Sequence, residues 1–405
     1  MNLNFQRAVD RVLGAVICRL LSWFQWVWGQ ATPAPSPNKI LIILLSEMGS
    51  LVLAYPMFCA IRRRFPASSV HVLLFAKNRE VLDLIGVIPY ENVLTLSDAS
   101  LPTFVRDSFK VLRSVRAAGF DAVIDCELFA RVSSIVSFFS GAPIRVGFHP
   151  YTQEGLYRGS YINRPVLYNP YQPISQQFLT LVEALQSDTV PTAKRVVVPA
   201  AVEVPSIAFD ESELRGMAER LYGDFPMTRN RSLVLIYPSG GILPIRAWPI
   251  DHYRALTRAL LDDGYAVGVI GLASDKGIAG QIISHCRDAH CVDLTGYTRS
   301  IRELLVLFHL ASLLITNDGG PGQFAAMTPI PTIVFYGPET PALYGSLSDR
   351  AYFFYLSLSC SPCLTAYNHR NSPCDGDNQC LKLITPDQVY ARAKAMLASD
   401  TSLVT

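Results

Sequence analysis

The sequence predicts an α/β protein made of two doubly wound domains in tandem. Three observations carry this expectation. Short runs that are apolar along their whole length alternate with amphipathic helical stretches, which is the pattern of parallel strands covered on both faces. The alternation occurs twice, once after Lys39 and again from Leu233. An irregular stretch rich in Tyr, Pro and Asn separates the two series, over 151–205. A chain of 405 residues, half of them hydrophobic, has room for two such cores.

The first segment, 1–30, reads as an amphipathic helix. Phe5, Val9, Val12, Val16, Ile17, Leu20, Phe24 and Val27 share one face, with Arg7, Arg11, Arg19 and Ser22 towards the other. Arg19 interrupts a run that would otherwise approach the roughly 20 apolar residues a spanning helix needs. Trp23, Trp26 and Trp28 cluster at its end, so the segment is expected to lie in a membrane interface. The alternative is a helix packed on the protein's own surface. A Pro-rich linker, "ATPAPSPN" over 31–38, follows; it resembles a signal cleavage site only weakly.

In the first domain, 39–205, strands are expected at 40–45, 70–75, 93–96, 122–126 and 145–148. Helices are expected at 52–63, 79–85, 104–118, 131–139 and near 176–184. In the second, 206–385, strands are expected at 233–237, 266–270, 292–294, 313–316 and 332–335. Its helices are expected at 250–262, 276–287, 301–311 and 322–327, and a C-terminal helix and tail fill 386–405. The net charge of +2 and the lack of a basic stripe speak against a nucleic-acid partner.

Ligands of such sheets bind beyond the C-terminal strand ends, so the loops after the strands are the candidates. "LLITNDGGPGQFAAM" places Asn317, Asp318, Gly319 and Gly320 between a strand and a helix start, a site suited to phosphate or sugar oxygens. Its plainer reading is a tight turn with an N-cap Asp. "LIYPSGGILPIRAWP" offers Ser239 and Gly240, with Arg246 as a cation for a diphosphate. "VIGLASDKG" offers Asp275, either for ribose hydroxyls or as an ordinary first-turn helix residue. In the first domain, "SEMGS" holds Glu47 and "VIDCELFAR" holds Asp125, Glu127 and Arg131; Asp125 and Arg131 are expected to pair with each other.

Taken together, these motifs resemble those of glycosyltransferase family 9, the heptosyltransferase type. "ITNDGGPGQFAAMTPIPTIVFYGPETP" is similar to the family's D-S/T-G-P-x-H-x-A pattern and the following P-x-x-x-x-F/Y-G. "RAWPIDHY", "VIGLASD", "VDLTGYTRSIRELL" and "ILIILLSEMGSLVLAYP" match in order, so the resemblance runs from Lys39 to the C-terminal helix. It implies the GT-B architecture, two Rossmann-like domains with parallel sheets facing an interdomain cleft. It also implies inverting, metal-independent transfer of a sugar from a nucleotide-diphospho-sugar, foremost ADP-heptose, to a lipid-linked or lipopolysaccharide-type glycan. The enzyme would then work on the cytoplasmic face of the inner membrane, peripherally bound.

By the same match, Ser239, Gly240, Arg246, Asp275, Asn317, Asp318, Gly319, Gly320 and Gln323 are expected to bind the donor. Three positions depart from the family pattern. Ser50 stands where the family's S-x-G-D turn has its Asp base, Gln323 where it has His, and Arg246 where it has Lys. A lone Ser takes no proton at neutral pH, so Glu47 is the first replacement candidate and Glu127 the second. The departures leave two rivals: a non-catalytic nucleotide-sugar or glycan-binding protein on the same fold, and a transferase using a UDP- or GDP-sugar.

Nine cysteines are present, and five of them sit mostly in apolar runs, as in a reducing compartment. The other four, Cys360, Cys363, Cys374 and Cys380, are spaced C-x2-C-x10-C-x5-C. A structural zinc site, disulfides and free thiols are the three readings, with His369 as a substitute ligand. No cofactor is expected for catalysis.

Overall fold

The structure, a computed structural model, describes residues 9–28, 36–45, 47–128, 130–148, 157–187, 203–365 and 371–401. The chain divides into two compact units, one running to Glu203 and one from Val204. Each is built on its own six-stranded sheet.

The sheet of unit 1 comprises β1 (Lys39–Ile43), β2 (Ser69–Phe75), β3 (Val93–Leu96), β4 (Ala122–Asp125), β5 (Ile144–Phe148) and β6 (Arg164–Val166). All pairs are parallel, in the order β3-β2-β1-β4-β5-β6. Beyond Lys39, β1 is buried throughout, as are β4 and β5, which is why their sequences show no alternation. Helices α1 (Ala15–Trp28), α2 (Met48–Leu53), α3 (Tyr55–Arg64), α4 (Arg79–Ile85), α5 (Leu101–Ala118), α6 (Arg131–Phe139) and α7 (Ile174–Ala184) complete the unit. The helix expected at 52–63 is two helices. Pro56 lacks an N–H and is tolerated only in a first turn, so the chain restarts at Tyr55. α5 begins before 104 because Ser100 accepts a hydrogen bond from the Thr103 N–H at 3.3 Å, with Pro102 in the first turn.

Asp125 and Arg131 do not pair. Asp125 is fully buried and forms its ion pair with Arg158, itself buried. The Arg158 guanidinium also donates to Ser133 Oγ at 2.8 Å, to the Ala130 carbonyl at 3.0 Å and to the Glu127 carbonyl. Arg131 turns to the N-terminal segment. Its N–H and that of Val132 donate to Asp10 Oδ1 at 2.8 and 3.2 Å, and its guanidinium lies 3.5 Å from Asp10 Oδ2.

α1 follows a π-helical turn, Asp10–Gly14, and packs along one side on the unit's own surface. A narrow stripe faces the unit: Gly14, where a Cβ would meet Arg131 at 3.0 Å, then Cys18, 3.3 Å from the Tyr161 hydroxyl, and Ser22, 2.8 Å from the Tyr157 hydroxyl. Ser22 therefore faces inward rather than away. The broad apolar face points out, with Val12 68%, Leu20 61% and Trp23 61% exposed. Phe5 and Arg7 lie outside the described residues, as does 31–35 of the linker. Among the described residues no helix is long and apolar enough to cross a membrane.

Unit 2 repeats the pattern with β7 (Leu233–Tyr237), β8 (Ala266–Gly271), β9 (Cys291–Thr295), β10 (Leu313–Asn317), β11 (Thr332–Tyr336) and β12 (Ala351–Tyr355), parallel in the order β12-β11-β10-β7-β8-β9. Its helices are α8 (Glu211–Asp224), α9 (Ile250–Asp262), α10 (Lys276–Cys286), α11 (Ile301–His309), α12 (Gly320–Phe324), α13 (Pro341–Tyr344), α14 (Gln379–Lys382) and α15 (Pro386–Thr401). β6, β12 and α8 were not anticipated. In each sheet the winding reverses between the first and fourth strands, β1 with β4 and β7 with β10.

Removing one partner of a buried ion pair leaves the other charge unpaired, so Arg158→Met should destabilise unit 1 by about 3–5 kcal/mol. Arg158→Met combined with Asp125→Asn should recover part of that loss. Urea unfolding followed by circular dichroism measures both. A double variant no more stable than the single one would show that the pairing is not what the loss reports.

Candidate active site

In unit 2 the reversal puts the loops after β7 and β10 side by side, because Tyr237 and Thr316 are register partners. Asn317 joins them. Its Oδ1 accepts from the Trp248 N–H at 2.9 Å and the Tyr253 hydroxyl at 3.2 Å, and its Nδ2 donates to the Tyr237 and Ser239 carbonyls at 3.3 and 3.1 Å. Asn317 is fully buried and its amide is spent on protein partners, so it positions the loops rather than meeting a ligand. Trp248 is buried too, stacked on Phe335 with centroids 4.5 Å apart, and its indole N–H donates to the Ile384 carbonyl at 3.0 Å. That anchor fixes the chain just after Arg246.

The loop after β7 is compact. Ser239 Oγ accepts from the Gly241 N–H at 3.1 Å, and a Cβ on Gly240 would lie 2.7 Å from the Leu243 carbonyl. Arg246 sits in a short 3₁₀ turn, Pro244–Arg246, and reaches back over the loop after β10. Its Nη2 donates to Glu339 Oε1 at 2.7 Å, and its Nε lies 3.5 Å from Asp318 Oδ2. Glu339 follows β11 and was not singled out in the sequence, although it lies inside the "FYGPETP" stretch that carried the resemblance. All three groups are largely buried. Burial pushes the Glu339 carboxyl up to about 7; Arg246 opposes the shift and Asp318 reinforces it. Burial also raises Asp318, against the pull of Arg246. One guanidinium thus serves two carboxylates, and neither Arg246 Nε nor Asp318 Oδ2 has a hydrogen-bond partner among the described residues.

The remaining expected residues surround this cluster unevenly. Gly319 and Gly320 enter α12, where a Cβ on Gly320 would press the Phe324 ring at 3.2 Å. α12 is only five residues long, so its dipole is a weak anion site. Gln323 donates through Nε2 to the Tyr344 carbonyl at 2.6 Å, while its buried Oε1 has no partner among the described residues. Asp275 takes its plainer role: its Oδ2 accepts from the Leu272 N–H at 2.8 Å in the turn after β8.

In unit 1 the reversal joins the loops after β1 and β4. Glu127 is 3% exposed, and its Oε1 accepts from the Leu45 N–H at 2.6 Å. The Leu45 carbonyl accepts from Asn78 Nδ2, also at 2.6 Å, so both sides of that residue are held. Two residues on, Glu47 is half-buried at the N-cap of α2, and its Oε2 accepts from Ser50 Oγ at 3.2 Å. The Glu47 carboxylate therefore turns back onto Ser50 within the same turn.

Among the described residues no three His, Cys, Asp or Glu side chains are arranged to hold an ion. Cys363 Sγ accepts from Ser372 Oγ at 3.1 Å, while Cys374 faces Asp375 and Asn378. Burial, with the other three thiols nearby, pushes Cys380 up to about 11. His369 lies outside the described residues.

Residues 108–372 match the profile of glycosyltransferase family 9 (heptosyltransferase). The chain is 25% identical over 369 residues to lipopolysaccharide heptosyltransferase 2 of Escherichia coli K12, covering 89% of this chain and 99% of that one. The solved E. coli ADP-heptose lipopolysaccharide heptosyltransferase II shares the fold, with a TM-score of 0.69 at 21% identity over 90% of this chain and 99% of that one. So does the E. coli heptosyltransferase WaaC solved with ADP, with a TM-score of 0.57 at 14% identity over 88% and 99%.

Replacing Asn317 with Ala strands the Trp248 N–H and the Ser239 carbonyl in a buried place, while the Tyr237 carbonyl keeps the Tyr253 hydroxyl at 3.0 Å. Unit 2 should lose about 2–4 kcal/mol, a few unsatisfied groups' worth. Thermal unfolding measures it, and an unchanged Tm would show that water or a rearranged loop replaces the amide.

Proposed function

The chain belongs to glycosyltransferase family 9, the heptosyltransferase family, and on that premise we propose that it moves a heptose-like sugar from ADP-heptose to a lipopolysaccharide-type acceptor. It is a glycosyltransferase. The nucleotide, sugar and acceptor of this reading are those of its relatives, a lipopolysaccharide heptosyltransferase and two ADP-binding heptosyltransferases. The observation that supports the reading most is the Arg246–Asp318–Glu339 cluster at the strand reversal of unit 2. A diphosphate entering there meets a guanidinium whose charge is already focused by burial, with an Nε donor still to place.

In this reading transfer inverts the anomeric centre and proceeds without a metal. The acceptor hydroxyl attacks the anomeric carbon while Glu47 takes its proton. The bond from that carbon to the diphosphate oxygen breaks, and Arg246 stabilises the charge that develops on the departing ADP. Gln323 Oε1 is an acceptor for a sugar hydroxyl. Glu47 is favoured as base because its carboxylate lies at the Ser50 hydroxyl, where the family's Asp would stand. Glu127, spent on the Leu45 N–H, holds the turn, and it is the alternative base. Ser50 in place of Asp also favours one rival, a donor-binding protein without turnover. The protein is proposed to act peripherally at the cytoplasmic face of the inner membrane.

Glu47→Gln should lower kcat by at least about 100-fold while donor Kd stays near its original value, as expected for loss of a general base. Unmutated protein that binds donor but never transfers it to a lipopolysaccharide fraction would establish the binding-protein reading. In thermal shift, ADP should stabilise more than UDP or GDP.

The Glu339 carboxyl at about 7 adds a pH signature. Above that pH the cluster holds two carboxylates against one guanidinium; below it one carboxyl is protonated. Binding a diphosphate dianion therefore takes up a proton, and affinity should rise as pH falls from 8 to 6. The slope is limited to about tenfold per pH unit for one linked proton. Calorimetry with a nucleotide-diphospho-sugar, whose diphosphate diester does not titrate in this range, measures it. Glu339→Gln should flatten the profile; a wild-type profile already flat would remove Glu339 from the donor site.

A further inference from the structure

Unit 1 carries a groove of about 1000 Å³ between α1 and α5. Phe24 of α1, Phe109 and Leu112 of α5, and Phe138 and Phe139 at the end of α6 supply its apolar surface. Phe109 is 67% exposed. Val105 and Leu101, about one and two turns before it on α5, are exposed as well. Val16, Leu20, Trp23 and Trp26 of α1, with Val9 and Val12 before it, are exposed on the side away from the protein-facing stripe of Gly14, Cys18 and Ser22.

The groove is not only apolar. Arg113, Arg116 and Arg145 line it, and none has a carboxylate partner among the described residues. Arg145 is the most telling. It is buried, yet its guanidinium donates only to neutral acceptors: the Tyr161 carbonyl at 2.7 Å, the Ala142 carbonyl at 2.8 Å and Gln25 Oε1 at 3.0 Å. Burial accordingly lowers its pKa. An uncompensated buried cation beside an apolar wall is costly unless an anion answers it. Exposed Arg113 and Arg116 extend that positive edge along α5.

We infer that this groove binds an anionic membrane lipid, with the phosphate of the headgroup at Arg113, Arg116 and Arg145 and the acyl chains along Phe24, Phe109 and Phe138, while the outer face of α1 lies in the bilayer interface. The occupant is a lipid because the cationic edge and the apolar wall are continuous, and because a protein partner's helix would need acidic side chains at one end only. A second copy of this chain brings the same three arginines and would be repelled. The inference deepens the reading of this protein as a transferase for lipid-borne acceptors and stands on different residues from the donor site.

The test is co-sedimentation of the full chain with phosphatidylglycerol vesicles and with phosphatidylcholine vesicles at low salt. Partitioning should be at least about tenfold stronger on phosphatidylglycerol, and Arg113→Gln with Arg116→Gln should remove most of that difference, since each basic residue at an anionic surface is worth several-fold. Both positions are exposed, so folding is not at stake. Leu20→Glu with Trp23→Glu should weaken binding to both vesicle types. Equal partitioning on the two lipids, or a double-Arg variant that still prefers phosphatidylglycerol, overturns the inference. So does light scattering that shows a lipid-free dimer which Leu20→Glu dissolves. Nucleotide-sugar binding by the double-Arg variant is measured alongside. If it matches wild type while vesicle binding is lost, both readings stand. If no protein binds nucleotide sugar but all bind vesicles as expected, the donor reading fails and the lipid site survives.

Discussion

Both units depend on one constraint: where a parallel sheet reverses its winding, two neighbouring strands end together without a crossover to join their loops. Backbone groups at those ends leave the ladder and must find other partners. The chain answers with buried side chains. In unit 2 a single amide, Asn317, takes four hydrogen bonds and binds the β7 loop, the β10 end and the start of α9 into one piece. In unit 1 Glu127 and Asn78 grip the Leu45 residue from its N–H and its carbonyl. Such sites are rigid where a catalytic turn needs rigidity, and they fix the backbone from which Asp318 and Glu47 project.

The charge arrangement of unit 2 follows from that geometry. Asp318 is carried by the residue after the Asn317 staple, and Glu339 by the loop after the adjacent strand, so two carboxylates approach one another at the strand ends. Alone they would repel in a low-dielectric place. Arg246, brought over them by the buried Trp248, resolves this with a planar fork that addresses two acceptors from one side chain. A lysine ammonium is a point charge and would serve the two carboxylates less evenly. An arginine at this position thus matches the local demand for a forked donor.

How much of this was legible depended on the kind of signal. Strands such as β3 and β7 and helices such as α4, α6 and α9 showed in hydrophobic pattern alone, since burial on both faces or one face is written directly into residue order. Elements whose signal is not hydrophobic were lost. β6 is three residues around Pro165 at a sheet edge. α8 begins with Asp210 and Glu213, whose carboxylate accepts from the Asp210 N–H at 3.0 Å, a capping pattern that was readable but weakly apolar. Partners distant in sequence were lost as well. Asp125 and Arg131 are close in the chain, yet the fold brings in Arg158 and Asp10, because helix α6 needs an N-cap and Asp125 needs a fully desolvated cation. Glu339 was in view but lacked a reason until Arg246 was placed beside it.

The same long-range pairs tie the outer surface of unit 1 to its inner loop. Asp10 caps α6 through the N–H groups of Arg131 and Val132. α6 starts immediately after the loop that carries Glu127, and Arg158 holds that loop through the Glu127 and Ala130 carbonyls while it pairs with Asp125. The helix that turns its apolar face outward is therefore hydrogen-bonded, through one carboxylate, to the element that begins at the strand reversal. The order of bonds makes the N-terminal helix a structural member of the unit 1 loop system, not an appendage beside it. It also gives a physical reason for Asp10 to be held although burial raises its pKa: its ionised form supplies the cap that α6 lacks in its own sequence.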